Sequence, residues 1–392
     1  MTTNPFATPV AKPSPQPGVA LVVALLLIAF GFERLGFYGF RAHAVTALVD
    51  ELGTDTVFEA YGALTGVTVY GGFLGGLLAL ATGPRVLVLA GTTLAAIGIG
   101  LFVVDVHLAG AGLLTLAVVL YRVCIPAWLI WSVRHLTFSR LVGILLLMYA
   151  GMNVGAGLGP LLGTVLGGVS DVGPFILASA AMALASGGFL VALLRQGPLP
   201  EADESSSRGL APWWLSALLF ALLVAALASR QSADVSSGAD MSWTSAIGPV
   251  GGMVFSLTVG VVATIGAANV AKSHAILAVL VLTVAGGLLA VAGGTFNSLV
   301  ASIGGAVSVS LAETLCSAVA LALIGDARPR LIAPIIGGWI TLRAVTYQAG
   351  EAAGDLTLPA LVAALAASLV VLGVAFKFRR SIDEPPATPN AV

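Results

Sequence analysis

The sequence predicts an all-α membrane protein of twelve transmembrane helices arranged as two six-helix bundles. Three observations carry that prediction. The 392 residues are 58% hydrophobic and only 9% charged, against about 25% charged in ordinary soluble domains. The apolar residues fall in runs of about 20, the length that crosses a hydrocarbon core of roughly 30 Å. The basic residues sit between those runs on alternate sides, as the positive-inside rule requires.

Taken in order, spans are expected near 18–40, 57–82, 85–104, 108–133, 141–167 and 173–194, which form the N-terminal bundle 18–194. A Pro-rich tail, 1–17, precedes the first run. No small-residue cleavage pattern follows that run, so it reads as a retained helix and not a signal peptide. Residues 195–211 are polar, with Pro, Glu, Asp and three serines, and read as a cytoplasmic linker. The C-terminal bundle, 212–377, is expected to hold spans near 212–229, 244–267, 274–295, 299–324, 331–350 and 357–377, followed by a cytoplasmic tail, 378–392. The ninth and tenth runs nearly merge, and 295–298 is the best break.

With both termini cytoplasmic, twelve of the 17 basic residues fall on the inner side: Lys12, Arg85, Arg134, Arg140, Arg195, Arg208, Lys272, Arg328, Arg330, Lys377, Arg379 and Arg380. Arg41 and Arg230 fall at outer ends, and Arg34, Arg122 and Arg343 lie inside spans. That asymmetry supports both the span count and a multi-pass location in the cell membrane. Two bundles joined by a polar linker suggest a pseudo-twofold pair with a site at the midplane between them, although no repeat is visible in the lettering. The 48 glycines include small-xxx-small pairs such as Gly62/Gly66, Gly72/Gly76 and Gly163/Gly167, which let helices approach closely in lipid.

Several function classes are disfavoured. A net charge of −1 offers nothing to nucleic acid, and Cys124 and Cys316 lie in apolar spans where a structural disulfide is not expected. His43, His107, His135 and His274 sit at span ends or loops without metal or catalytic spacing. No zinc, phosphate-loop or Ser-His-acid arrangement is present, so neither an enzyme nor a cofactor is implied. The expected partners are a small solute and the bilayer, with the chain a monomer.

Ionisable residues inside the spans are the functional candidates. A charge at the bilayer centre costs roughly 2.5–3.5 kcal/mol on insertion scales, so it persists only when paired, hydrated or working. The first span carries Glu33 and Arg34. Arg34, Tyr38 and Arg41 fall at i, i+4 and i+7 on one helix face, with Glu33 about 100° round from it. Arg122 lies in the fourth span and Glu313 in the tenth, equivalent places in the two halves, so they are expected to face each other across the midplane. Such a pair is strong when dry and weak when wet, which is how a gate works. Glu33 and Glu313 are the carboxylates that could take up and release a proton. The plainer alternative is that Glu33–Arg122 or Arg34–Glu313 merely neutralise one another and lock helices together. Arg343, in the eleventh span, could snorkel or cap a carbonyl.

These residues resemble the proton-dependent oligopeptide transporters of the major facilitator superfamily. The family's E-x-x-E-R-F-x-Y-Y-G stands here as Phe30, Glu33, Arg34, Leu35, Phe37, Tyr38 and Gly39, with Arg41 following. Asn153, Gly155 and Pro160 match its N-L-G-x-x-x-x-P, Ala312-Glu313 its G-E, Ala327, Pro329 and Arg330 its a-P-k/r, and Gly338-Trp339 its G-x-w region. The matches keep family order from about residue 18 to 350. The resemblance implies a major facilitator fold, a coupling cluster containing Glu33 and Arg34, a peptide pocket lined by Tyr38, Arg41, Asn153 and Trp339, and Glu313 facing the substrate's amino end or a gating cation. The chain departs from the family at Phe30, where the first Glu would stand, and at Ile125, where a Lys would, with Arg122 one turn earlier. It also has Leu80 for an Asp, Gly248 for an Asn, Tyr70 one place off the pocket Tyr, and no acid in the seventh span.

The expectation is therefore a secondary transporter that moves a small zwitterionic or anionic solute, di- or tripeptides first, by alternating access with proton coupling as an option. Tyr38, Arg41, Arg122, Asn153, Glu313 and Trp339 would bind substrate. Glu33, Arg34, Arg122 and Glu313 would couple or gate. The alternatives are an uncoupled or export-type permease for another solute, and a membrane scaffold or sensor that no longer transports.

Overall fold

The computed structural model describes residues 18–196, 215–225, 227, 244–266, 270–296, 298–351, 357–378 and 382–383. The tail 1–17 and nearly all of the 195–211 linker and the 378–392 tail lie outside them, as do Lys12, Arg208, Arg230, Arg379 and Arg380. Among the described residues there is no strand. The helices are α1 (Val19–Leu52), α2 (Thr54–Thr82), α3 (Pro84–Leu101), α4 (His107–Tyr121), α5 (Cys124–Val133), α6 (Phe138–Gly167) and α7 (Gly173–Gln196). They continue as α8 (Leu215–Ala225), α9 (Thr244–Thr264), α10 (Lys272–Phe296), α11 (Leu299–Ile324), α12 (Ile332–Glu351) and α13 (Thr357–Lys377).

Helix thus lies at each expected span, and the chain is an integral membrane protein. Seven stretches among the described residues are long and apolar enough to cross a bilayer; one of them, His107–Val133, runs through α4 and α5. At the second, seventh, eighth and twelfth positions the apolar stretch is shorter: Tyr70–Thr82, Leu215–Ala225, Met253–Thr264 and Val362–Lys377.

Two boundaries differ from the sequence reading for physical reasons. The first span does not end near Arg41: α1 runs on to Leu52 because nothing between them breaks a helix, and it stops at Gly53, whose φ of 79° suits glycine. The fourth span is broken between Tyr121 and Cys124. Pro126 has no N–H to give the Arg122 carbonyl, so the helical ladder is interrupted there and resumes as α5. The break between the ninth and tenth spans falls at the expected place, where the Ser298 hydroxyl caps α11 by accepting from the Ala301 N–H at 3.4 Å.

The two halves meet along two seams. α2 packs on α12 and α6 on α9, with α5 and α6 also against α11. At the first seam a Cβ on Gly76 would lie 2.7 Å from the Ala333 carbonyl oxygen, and one on Gly337 would lie 2.7 Å from that of Gly72. At the second, a Cβ on Gly143 would lie 2.7 Å from the Thr264 nitrogen. Backbone therefore touches backbone, the close approach that small residues permit in lipid.

Both seams lie toward the end of the molecule that carries Arg134, Arg140, Lys272 and Arg328. Residues at that basic end are deeply buried. Leu129, Ile130 and Val133 of α5 and Leu321 to Ile324 of α11 are all no more than 3% exposed. Lys272, at the start of α10, pairs with Asp326 and sits 5.9 Å from the centre of the Phe138 ring of the other half. Asp383 caps α10, accepting from the Ser273 N–H at 2.9 Å and its hydroxyl at 2.6 Å.

Gly76→Ala should destabilise the protein by on the order of 1–3 kcal/mol, because the methyl meets main chain that cannot rotate away. Gly112→Ala, whose Cβ meets nothing within 4 Å, should leave stability unchanged or slightly raised. Thermal unfolding of the two variants in the same detergent checks the contrast.

Candidate functional site

A cavity of about 470 Å³ lies between the halves, within the range of roughly 300–1,000 Å³ usual for small-molecule sites. Its N-terminal-half wall comes from α1 (Arg34, Tyr38), the α4–α5 break (Arg122, Pro126) and α6 (Tyr149, Asn153). The opposite wall comes from α11 (Glu313, Ser317) and α12 (Trp339, Arg343).

Helix periodicity explains the wall residues. On α1, Phe30, Arg34 and Tyr38 recur at intervals of four and share one face. On α12, Trp339 and Arg343 are one turn apart, and on α11 Glu313 and Ser317 are likewise. The depth of Arg34 is set by a crossing of α1 and α6. A Cβ on Gly155 would lie 2.6 Å from Arg34 Cβ, and one on Gly159 would lie 2.6 Å from the Leu35 carbonyl oxygen, so α6 offers α1 bare backbone at these positions. The Arg122 side chain leaves the α4–α5 break, where Pro126 has ended the ladder.

Two ion pairs organise the charges. The Arg34 guanidinium donates from Nε to Glu33 Oε2 at 2.5 Å and from Nη2 to Oε1 at 3.0 Å. Glu33 is wholly buried and the Arg34 side chain only 9% exposed. The same guanidinium lies 5.0 Å from the Phe30 ring centre and 5.5 Å from that of Phe37, distances at which an aromatic quadrupole attracts a cation. The second pair stands in the open cavity. Arg343 Nη2 donates to Glu313 Oε1, and Nη1 donates to the Ser317 hydroxyl at 2.6 Å. The Glu313 side chain is 44% exposed and that of Arg343 20%.

The structure therefore gathers Arg34, Tyr38, Arg122, Asn153, Glu313 and Trp339 around one chamber. Two candidate residues are placed elsewhere. Glu33 does not reach the lumen; it lies behind Arg34, sealed between helices. Arg41 is exposed and outside the lining, because two helical turns beyond Arg34 is about 10.5 Å along α1. The structure adds two partners that the sequence reading did not name: Glu33 holds its sequence neighbour Arg34 and Glu313 holds Arg343. Arg343, read as a snorkelling or capping residue, is thus a wall residue with a charged partner. Its i+4 spacing from Trp339 was the available signal. Tyr149, Met148 and Met152 also line the cavity, and nothing in their local sequence distinguishes them from core residues.

No family model matches the sequence, and no curated protein does. Solved structures do. An auto-inhibited POT family peptide transporter aligns over 94% of this chain and 99% of its own at 16% identity and a TM-score of 0.55. A peptide transporter POT in complex with sulfate aligns over 93% and 96%, at 16% identity and a TM-score of 0.56. A bacterial homologue of the iron transporter ferroportin, in an outward-facing state, aligns over 92% and 99%, at 15% identity and a TM-score of 0.61. At this identity the likeness is one of fold: the chain has the architecture of these transporters over nearly its whole length.

Removing one member of the buried pair tests its role. Glu33→Gln strands the Arg34 guanidinium and should cost roughly 3–5 kcal/mol of stability. Replacing both, Glu33→Gln with Arg34→Gln, should recover a large part of that loss, as read by thermal denaturation in detergent.

Proposed function

We propose that the protein is a secondary transporter of a small zwitterionic or anionic solute, with all twelve helical positions crossing the membrane as two six-helix bundles of the major facilitator fold. The observation that carries this reading is the cavity: ionisable side chains from both halves converge on one chamber inside an otherwise apolar body. A scaffold has no need of such a chamber.

The basic end is taken as cytoplasmic on the positive-inside rule. In that frame the seams α2–α12 and α6–α9, with the contact between Lys272 and Phe138, close the path to the cytoplasm. The conformation described is the one sealed on that side. Alternating access requires the seams to part and the opposite ends of the bundles to close. The Lys272–Asp326 pair and the Phe138 ring form the latch that must release.

Arg122 and Arg343 are the proposed carboxylate receptors, offering guanidinium forks to a planar anion. Trp339 supplies a flat apolar surface and Asn153 an amide able to donate and accept. Glu313 faces the lumen and is the carboxylate a proton can reach from the cavity. Glu33 is screened by its bidentate partner and is assigned to holding Arg34. A cation as cargo is disfavoured by chemistry, because three guanidinium groups border the chamber.

Uptake into proteoliposomes, with and without an imposed proton gradient, tests the reading. Arg122→Gln and Arg343→Gln should each reduce flux by about tenfold or more, because each removes a charged hydrogen-bonding partner of the solute. Arg41→Ala should leave flux near that of the parent, since Arg41 stands outside the chamber. Folded protein that passes no solute of either charge class under any gradient overturns the proposal.

A further inference from the structure

The last described residues of the chain, Ile382 and Asp383, follow the final apolar helix and fall in the stretch that the sequence reads as a polar tail. Both are docked on the basic end. Ile382 is 1% exposed and joins the buried apolar core, and its N–H donates to the Phe378 carbonyl at 3.2 Å. Asp383 reaches the start of α10, 110 positions earlier in the chain.

The reason lies in how α10 begins. Ala271, whose carbonyl accepts from the Ala275 N–H at 3.1 Å, stands at the capping position and has no side-chain acceptor to offer. The first N–H groups of a helix have no partner within the helix and need one from elsewhere. Asp383 supplies it: one carboxylate oxygen accepts from the Ser273 N–H at 2.9 Å and the other from the Ser273 hydroxyl at 2.6 Å. The same carboxylate puts negative charge at the positive end of the helix dipole, where Lys272, the first residue of α10, adds a positive one.

Lys272 connects this cap to the contact between the halves. It adjoins Ser273, pairs with Asp326 in the connection between α11 and α12, and lies 5.9 Å from the centre of the Phe138 ring of the N-terminal half. Fixing the first turn of α10 therefore fixes where this ammonium stands.

We propose that Ile382 and Asp383 form a clamp on the basic end: by capping α10 they hold Lys272 beside Phe138 and so favour the conformation sealed on that side. The proposal rests on the reading of the protein as an alternating-access transporter. Asp383 is in these terms a positioning residue, acting through Lys272. The clamp and α10 both belong to the C-terminal half, so it moves with that half and bears on the seal only by way of this lysine. Neither Ile382 nor Asp383 lines the chamber, and the clamp accordingly sets the balance of conformations without selecting among solutes.

Spin labels test it in the purified full chain. Arg195→Cys on α7 and Arg330→Cys between α11 and α12 are exposed positions on opposite halves at the basic end, whereas the native Cys124 and Cys316 are buried and stay in place. Asp383→Ala should move the distance distribution outward, raising the separated population about fivefold, the size of effect that loss of a helix cap produces. Asp383→Asn keeps an oxygen for the Ser273 N–H but loses the charge, and should fall between that variant and the parent. Lys272→Met should shift the distances in the same direction, and adding Asp383→Ala to it should change them little further.

Distances unmoved by Asp383→Ala overturn the proposal. So does a shift that adds in full to that of Lys272→Met, because Asp383 would then act by another route. Should Asp383→Ala fail to give folded protein, Asp383→Asn carries the test under the same two criteria. The two readings fail separately. The expected shifts in protein that carries neither Ala-Phe nor its N-acetyl derivative into proteoliposomes keep the clamp and remove transport of that class. Flux of either probe with distances unmoved by Asp383→Ala removes the clamp and keeps transport.

Discussion

Everything in this structure follows from the expense of leaving a charge alone in a medium that cannot solvate it. A guanidinium or carboxylate inside an apolar bundle must find an opposite charge, aromatic faces or water. Arg34 takes the first two: a bidentate carboxylate at its own helix neighbour and the rings of Phe30 and Phe37. Arg343 takes the first and the third, holding Glu313 at the edge of the open cavity. The chamber between the halves exists around these groups, and the helices that border it are oriented to deliver them there.

The two pairs are built for different tasks. Glu33 and Arg34 are adjacent in the chain and buried together, so their contact does not depend on how the bundles are arranged. Glu313 and Arg343 come from different helices of one half and are partly wet, so a ligand or a change in hydration acts on them directly. One pair is buried behind the wall and the other stands partly exposed in front of it.

Rigidity and mobility are divided in the same way. At the seams α2–α12 and α6–α9, glycines such as Gly76, Gly337 and Gly143 bring main chain against main chain. At the basic end the Lys272–Asp326 pair lies beside the Phe138 ring of the other half. The short buried helix α5, begun where Pro126 ends the ladder of α4, is packed against elements of both halves.

The membrane character, the location of each helix and the list of charges that had to be accommodated are properties of the sequence itself. They depend on length, apolarity and the sidedness of Lys and Arg, all of which are local. The face shared by Arg34 and Tyr38 was legible for the same reason, since helical period fixes it. Only the tertiary structure decided which charge meets which. Glu33 holds Arg34, Glu313 holds Arg343, and Arg41 ends outside the chamber lining, because the depth and rotation of each helix are set where glycine lets another helix approach. A neighbouring span can bring any of several arginines to a given carboxylate, and that choice is made by close packing between segments far apart in the chain, which no local pattern records.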